Sequence, residues 1–193
     1  TVAVNPGVPA ASQGTVSVSG GVLRFTAVSG KRNVIGVNRS GSTIGVTVAD
    51  PSVGRLTVGT GCTASGATYV YCPSAGITSA RLDLGDQDDT VSSTPDIRTE
   101  VYAGDGNDVV RGGPSTDIIY GGDGNDELRG LDGIDVIEPG DGRALLPGGG
   151  HHAHGLCHQR GGQSSLPREP PSGSARCARG DGRVHARAAD AGG

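Results

Sequence analysis

Aspartate recurs every nine residues along one segment of this chain. From Ala103, four consecutive nonapeptides read AGDGNDVVR, GGPSTDIIY, GGDGNDELR and GLDGIDVIE. All four place Asp at position six, as Asp108, Asp117, Asp126 and Asp135, and an aliphatic residue at position eight, as Val110, Ile119, Leu128 and Ile137. Glycine holds position two in three of them and position four in three. A degenerate earlier copy, LGDQDDTVS at 84–92, keeps Asp89 and Val91 in register, and a ten-residue insertion at 93–102 separates it from the others. Residues 83–141 carry sixteen acidic and three basic side chains, a balance of −13, between flanks of +5 and +4 that reduce the chain's total to −4. Such a block repels itself unless something cationic neutralises it, so the chemistry on offer is cation binding.

The pattern resembles the RTX, or haemolysin-type, calcium-binding repeat G-G-x-G-x-D-x-U-x, strictly over 103–138 and loosely over 84–102. The third copy matches at every defined position. The resemblance implies a parallel β-roll in which the first six residues of each repeat form a turn and the last three a short strand. Two nonapeptides make one coil, so turns eighteen residues apart stack on the same edge. Calcium, a hard cation taking about 6 to 8 oxygen ligands, would lie between stacked turns, held by position-six carboxylates and turn carbonyls. That pairs the turn of Asp108 with that of Asp126, and the turn of Asp117 with that of Asp135. A third site below Asp126 would need carbonyls near Gly140 and Gly142, because Ala144 offers no carboxylate. Asp105, Asp123, Asn107 and Asn125 sit in the same turns, either as assisting ligands or simply as turn formers. Ser115, Leu131 and Ala103 replace glycine, and Ser115 is expected to distort its turn most. Metal and fold would be coupled, so that chelation melts residues 84–141.

Other chemistries have less behind them. Cys62 and Cys72 flank the stretch GCTASGATYVYC, and an exported chain favours a disulfide there over two buried thiols. His151, His152, His154, Cys157 and His158 could supply donors for a transition metal, but no scaffold fixes their geometry. Arg179, Gly180 and Asp181 form an adhesion-like tripeptide that chance explains in an Arg- and Gly-rich stretch. There is no G-x-S-x-G elbow and no H-E-x-x-H, and every His lies beyond residue 150, so the chain is expected not to be an enzyme. GDGND lacks the spacing of a dinucleotide fingerprint. The repeats are too acidic for nucleic acid, and no apolar run approaches the roughly 18 residues of a membrane span.

The elements that must position the aspartates are short strands. With 36 glycines, one Phe, four Tyr and no Trp or Met in 193 residues, the chain cannot build a core of large side chains. A thin layer of small aliphatics between many turns suits it, as in solenoids. Before the repeats, alternation puts Leu23, Phe25 and Ala27 on one face, then Ile44, Val46 and Val48, then Leu56 and Val58, and finally Ala80, Leu82 and Leu84. These strands are expected to form a β-solenoid or small β-sandwich running straight into the repeats, with Thr1 to about Gln13 loose. From Gly142 onward only five aliphatics larger than Ala occur in 52 residues, too few to offset folding entropy. That stretch also lacks Thr, Asn, Ile, Phe, Tyr, Lys and Met, as a shifted reading frame of a GC-rich gene would.

The expected fold is therefore all-β: a strand-rich segment over 1–83, a parallel β-roll (β-solenoid) of calcium-binding repeats over 84–141, and a disordered tail over 142–193. The resemblance implies a secreted bacterial protein, extracellular or on the cell surface. The N-terminal strands, running into LDLGDQDDTV, are similar to actinobacterial exported repeat proteins. Calcium is the expected cofactor and partner, through Asp89, Asp105, Asp108, Asp117, Asp123, Asp126, Asp135, Asn107 and Asn125. Two alternatives share these residues: a secretion or stabilising module of a larger RTX enzyme, and a surface adhesin stiffened by calcium.

Overall fold

The computed structural model describes residues 12–48, 55–142, 145–147 and 174–176; it is all-β, with no helix among the described residues. The N-terminal half supplies β1 (Ser12–Ser19), β2 (Val22–Ala27), β3 (Val34–Ser40), β4 (Thr43–Val48), β5 (Arg55–Val58), β6 (Thr63–Ala64) and β7 (Tyr69–Pro73). Then come β8 (Ser79–Asp83), β9 (Thr90–Ser93), β10 (Arg98–Asp105), β11 (Val109–Arg111), β12 (Asp117–Gly124), β13 (Glu127–Arg129) and β14 (Val136–Glu138). β15 (Asp141–Gly142), β16 (Leu145–Pro147) and β17 (Ser174–Arg176) complete the set. The expectations for Cys157, the histidine run, the RGD tripeptide and the disordered tail fall outside the described residues, except where β16 and β17 pair antiparallel.

Two mixed sheets hold these strands. One runs β14-β12-β10-β8-β2-β1-β5, with β15 alongside β12; the other runs β17-β16-β13-β11-β9-β3-β4-β7-β6. From β8 to β14 each successive strand belongs to the opposite sheet, because the turn after each strand carries the chain across between them. All pairings in this part are parallel. Thr99 lies beside Asp117 and Val109 beside Glu127, eighteen residues on in each case. The N-terminal strands use the same two sheets differently, as antiparallel hairpins β1–β2 and β3–β4 with β7 beyond. The two regimes join in register, β2 parallel to β8 and β3 parallel to β9.

One hydrophobic cluster draws on both sheets. Position-eight residues Val91, Val110 and Leu128 from one sheet, and Ile119 and Ile137 from the other, are buried alongside Phe25, Ile35 and Leu82. β11, β13 and β14 have only three residues each, so this layer, at roughly 1.5–3 kcal/mol per buried aliphatic side chain, is their main apolar support.

Several expectations need correction. Val58 is 37% exposed, because β5 is the outermost strand of its sheet and only Leu56 faces the core. Gln13 is not loose but a buried member of β1. Residues 93–102 are not an insertion: they cross between sheets and form most of β10, with Thr99 beside Asp117 and Val101 beside Ile119. They are a further degenerate repeat with Thr in place of Asp. Its extra residue makes the offset between Asp89 and Asp108 nineteen instead of eighteen.

Candidate metal centre

The position-six residues stand where each turn enters a strand, and the alternation of sheets sorts them into two columns. Asp89, Asp108 and Asp126 precede β9, β11 and β13 on one edge; Asp117 begins β12 and Asp135 precedes β14 on the other. All five side chains are buried, between 0% and 2% exposed. Backbone amides link each column: Asp89 N–H donates to Asp108 Oδ1 (2.7 Å), Asp108 N–H to Asp126 Oδ1 (3.0 Å), and Asp117 N–H to Asp135 Oδ1 (2.9 Å). Gly113 N–H donates to Asp117 Oδ2 (2.7 Å).

In each carboxylate one oxygen is thereby used, and the other has no partner. Asp89 Oδ2, Asp108 Oδ2, Asp117 Oδ1, Asp126 Oδ2 and Asp135 Oδ2 are buried without a hydrogen bond. The salt bridges of the described residues involve Asp83, Asp96, Glu100 and Glu127, and none reaches a column aspartate. Burial consequently pushes these acids up. Asp89 rises to about 7, with the Asn33 hydrogen bonds opposing, and Asp117 to about 7, with the Gly113 amide opposing. Asp108 rises to about 6, and Asp126 and Asp135 rise for the same reason. A neighbouring carboxylate adds to the effect at Asp108, through Asp126, and at Asp117, through Asp135.

The turns bring main-chain oxygens close as well. Gly122 has φ +98°, and a Cβ there would collide with the Gly104 carbonyl of the coil before; at Gly124, φ +141°, it would strike the Gly106 carbonyl. Only glycine lets turns stack this closely. Among the described residues no three His, Cys, Asp or Glu side chains converge on one point. An ion between turns would therefore combine carboxylate oxygens with backbone carbonyls, a donor set suited to calcium. Unpartnered buried anionic oxygens beside stacked carbonyls fit such a cation.

The exposed turn residues behave differently. Asp105 and Asp123 are exposed and lie in register, Asp105 beside Asp123 and Asp123 beside Asp141. Asn107 and Asn125 are exposed and form a ladder with Asp88. Asn107 donates through its backbone N–H and Nδ2 to Asp88 Oδ1 (2.8 and 3.2 Å), and Asn125 donates likewise to Asn107 Oδ1 (3.1 Å each). These four residues are not gathered with the buried columns. Ser115 has no positive φ and its turn stacks like the others, since a Cβ at Gly133 would strike the Ser115 carbonyl; among the described non-glycine residues positive φ falls on Leu131 (φ 73°) and Gln87 (φ 83°).

Sequence reasoning missed two members of the columns. Asn33 stands one rung above Asp89, and its backbone N–H donates to Asp89 Oδ1 at 2.6 Å. Thr99 stands one rung above Asp117. Their sequences, Asn33-Val34-Ile35 and Thr99-Glu100-Val101, do repeat the polar-x-aliphatic end of the nonapeptide. Cys62 and Cys72 are joined in a disulfide beside β6 and β7.

Stacked turns and paired buried aspartates recur here with a period of nine residues, as a repeat array does. Residues 102–137 match the family model of the RTX calcium-binding nonapeptide repeat (4 copies), and Ca2+ is the ion such repeats bind. Comparison with curated proteins and with solved structures finds no match.

Proposed function

We propose that this chain is an exported, non-catalytic calcium-binding protein whose residues 84–141 form a parallel β-roll that needs Ca2+ to fold beyond its first turn and is stiffened by it. The observation that carries this is the set of five buried carboxylate oxygens without a partner, repeated in both columns. Bound ions would neutralise the aspartates, so binding energy becomes folding energy. Asp89, Asp108 and Asp126 hold ions on one edge, and Asp117 and Asp135 on the other. Asp105, Asp123, Asn107 and Asn125 shape and tie the turns from the solvent side. The Cys62–Cys72 disulfide supports an oxidising compartment. Among the described residues no helix is long and apolar enough to cross a membrane.

Isothermal titration with Ca2+ tests this reading by comparing a buried with an exposed aspartate. Asp126→Asn should lower the number of ions bound, and Asp123→Asn should leave it unchanged. Absence of calcium binding by the wild type, or equal losses in the two variants, would refute the assignment.

A further inference from the structure

The column of Asp89, Asp108 and Asp126 does not begin with an aspartate. Asn33, fully buried, precedes β3 as Asp89 precedes β9, and its main chain makes the same bonds as Asp89 and Asp108 below it. Its N–H donates to the next carboxylate, and its carbonyl accepts from Thr90 N–H (2.8 Å), as the Asp89 carbonyl accepts from Val109 N–H (2.9 Å). The side chain differs in its nitrogen, while Asn33 Oδ1 is buried without a partner like the spare carboxylate oxygens below. Asn33 Nδ2 faces three oxygens: the carbonyls of Lys31 (2.9 Å) and Leu84 (3.1 Å) and Asp89 Oδ1 (3.2 Å). Leu84 is position one of its repeat, so the amide nitrogen touches a turn carbonyl and a position-six carboxylate, the two donor types offered to an ion further down.

We propose that the Asn33 amide stands in for Ca2+ at the first rung, so that the calcium-bound stack grows from a cap held together without metal. This rests on the reading of the columns as calcium sites. The rest of the 29–33 loop acts in the same way on the turn at 84–89. Gly30 N–H and Ser29 Oγ–H donate to the two oxygens of Asp86 (2.6 and 3.3 Å), and Arg32 Nε donates to the Asp88 carbonyl (3.0 Å). Every contact from this loop to the acidic turn is thus made by a protein donor. An aspartate at position 33 would instead set an oxygen against three oxygens, an arrangement that needs a cation at its centre.

Two measurements on the full chain test this. Hydrogen exchange of the wild type in chelator should leave residues 34–37 and 89–93 protected while 108–138 lose protection. Simultaneous loss across both regions would overturn the proposal. Asn33→Asp, by native mass spectrometry in excess Ca2+, should hold one more ion than the wild type and in chelator should lose protection at 89–93 as well. The same ion count as the wild type, with unchanged protection in chelator, would also overturn it. A wild type that binds no Ca2+ defeats the calcium reading itself. If Asn33→Asp does not fold even in Ca2+, the wild-type exchange pattern decides alone.

Discussion

Removing calcium across a range of pH is the most direct probe of the buried columns. In metal-free protein, burial displaces Asp89 and Asp117 from 3.8 to about 7. At about 1.4 kcal/mol per pH unit, each ionised carboxylate then costs on the order of 4 kcal/mol in the folded state. One such group in each column, about 8 kcal/mol together, already falls within the roughly 5–15 kcal/mol that holds a whole domain together. The sign follows from which state holds the proton more tightly. These acids have folded-state values raised above their unfolded ones, so their contribution to stability is fully present below about 4 and is lost as the pH climbs to about 7. Asp86 and Asp88 shift the opposite way, lowered by the Gly30 and Asn107 amides, but both are solvent-exposed and oppose the trend only weakly. With excess chelator, thermal melts followed by circular dichroism should show the repeats more stable at pH 5 than at pH 8. With Ca2+ the order reverses, because protons compete with the ion below about pH 7 and calcium affinity falls. A chelated melting temperature that is flat from pH 5 to 8, or that rises with pH, would refute the argument that the column carboxylates are the unstable element.

Three further outcomes follow from the same geometry. Gly122→Ala should destabilise the calcium-loaded protein by more than the ~1–2 kcal/mol cost of left-handed backbone, because its Cβ also meets the Gly104 carbonyl; melting in saturating Ca2+ reads this. Leu131→Gly relieves φ 73° at a residue 38% exposed and should stabilise by up to about 1 kcal/mol in the same assay. Leu128→Ala removes a fully buried position-eight side chain and should cost about 2–5 kcal/mol, while the surviving folded fraction, measured by titration, keeps its number of calcium ions.

The period of nine was legible because every repeat must place a turn, a buried polar residue and a buried aliphatic in fixed order. That one constraint revealed the strands from β11 to β14 and the grouping of Asp108 with Asp126 and of Asp117 with Asp135. It did not reveal Asn33 or Thr99, whose place in the columns is fixed by pairing and not by period. Asn33 joins Asp89 across 56 residues, a distance set by the hairpins between them. The outward position of Asp105 and Asn107 was equally hidden, since a six-residue turn reverses direction and alternation no longer tells inside from outside. Val58 failed for a different reason: alternation identifies the face of a strand, but not whether another strand will cover its edge.

The columns also show why aspartate, and not merely a hydrogen-bond acceptor, stands at position six. Linking one coil to the next requires only an oxygen that accepts a backbone N–H. Asn107 provides such an oxygen to Asn125 without any charge. Asparagine in the column itself is compatible with the fold, because Asn33 occupies a rung with the same main-chain bonds. Aspartate at the other rungs adds a buried negative charge that the hydrogen-bond ladder does not use and that no salt bridge of the described residues reaches. In the protein alone that charge is purely a cost. On the proposed reading it becomes favourable with a divalent ion between the turns, and the spare oxygen of each carboxylate is then the part of the sequence that specifies calcium.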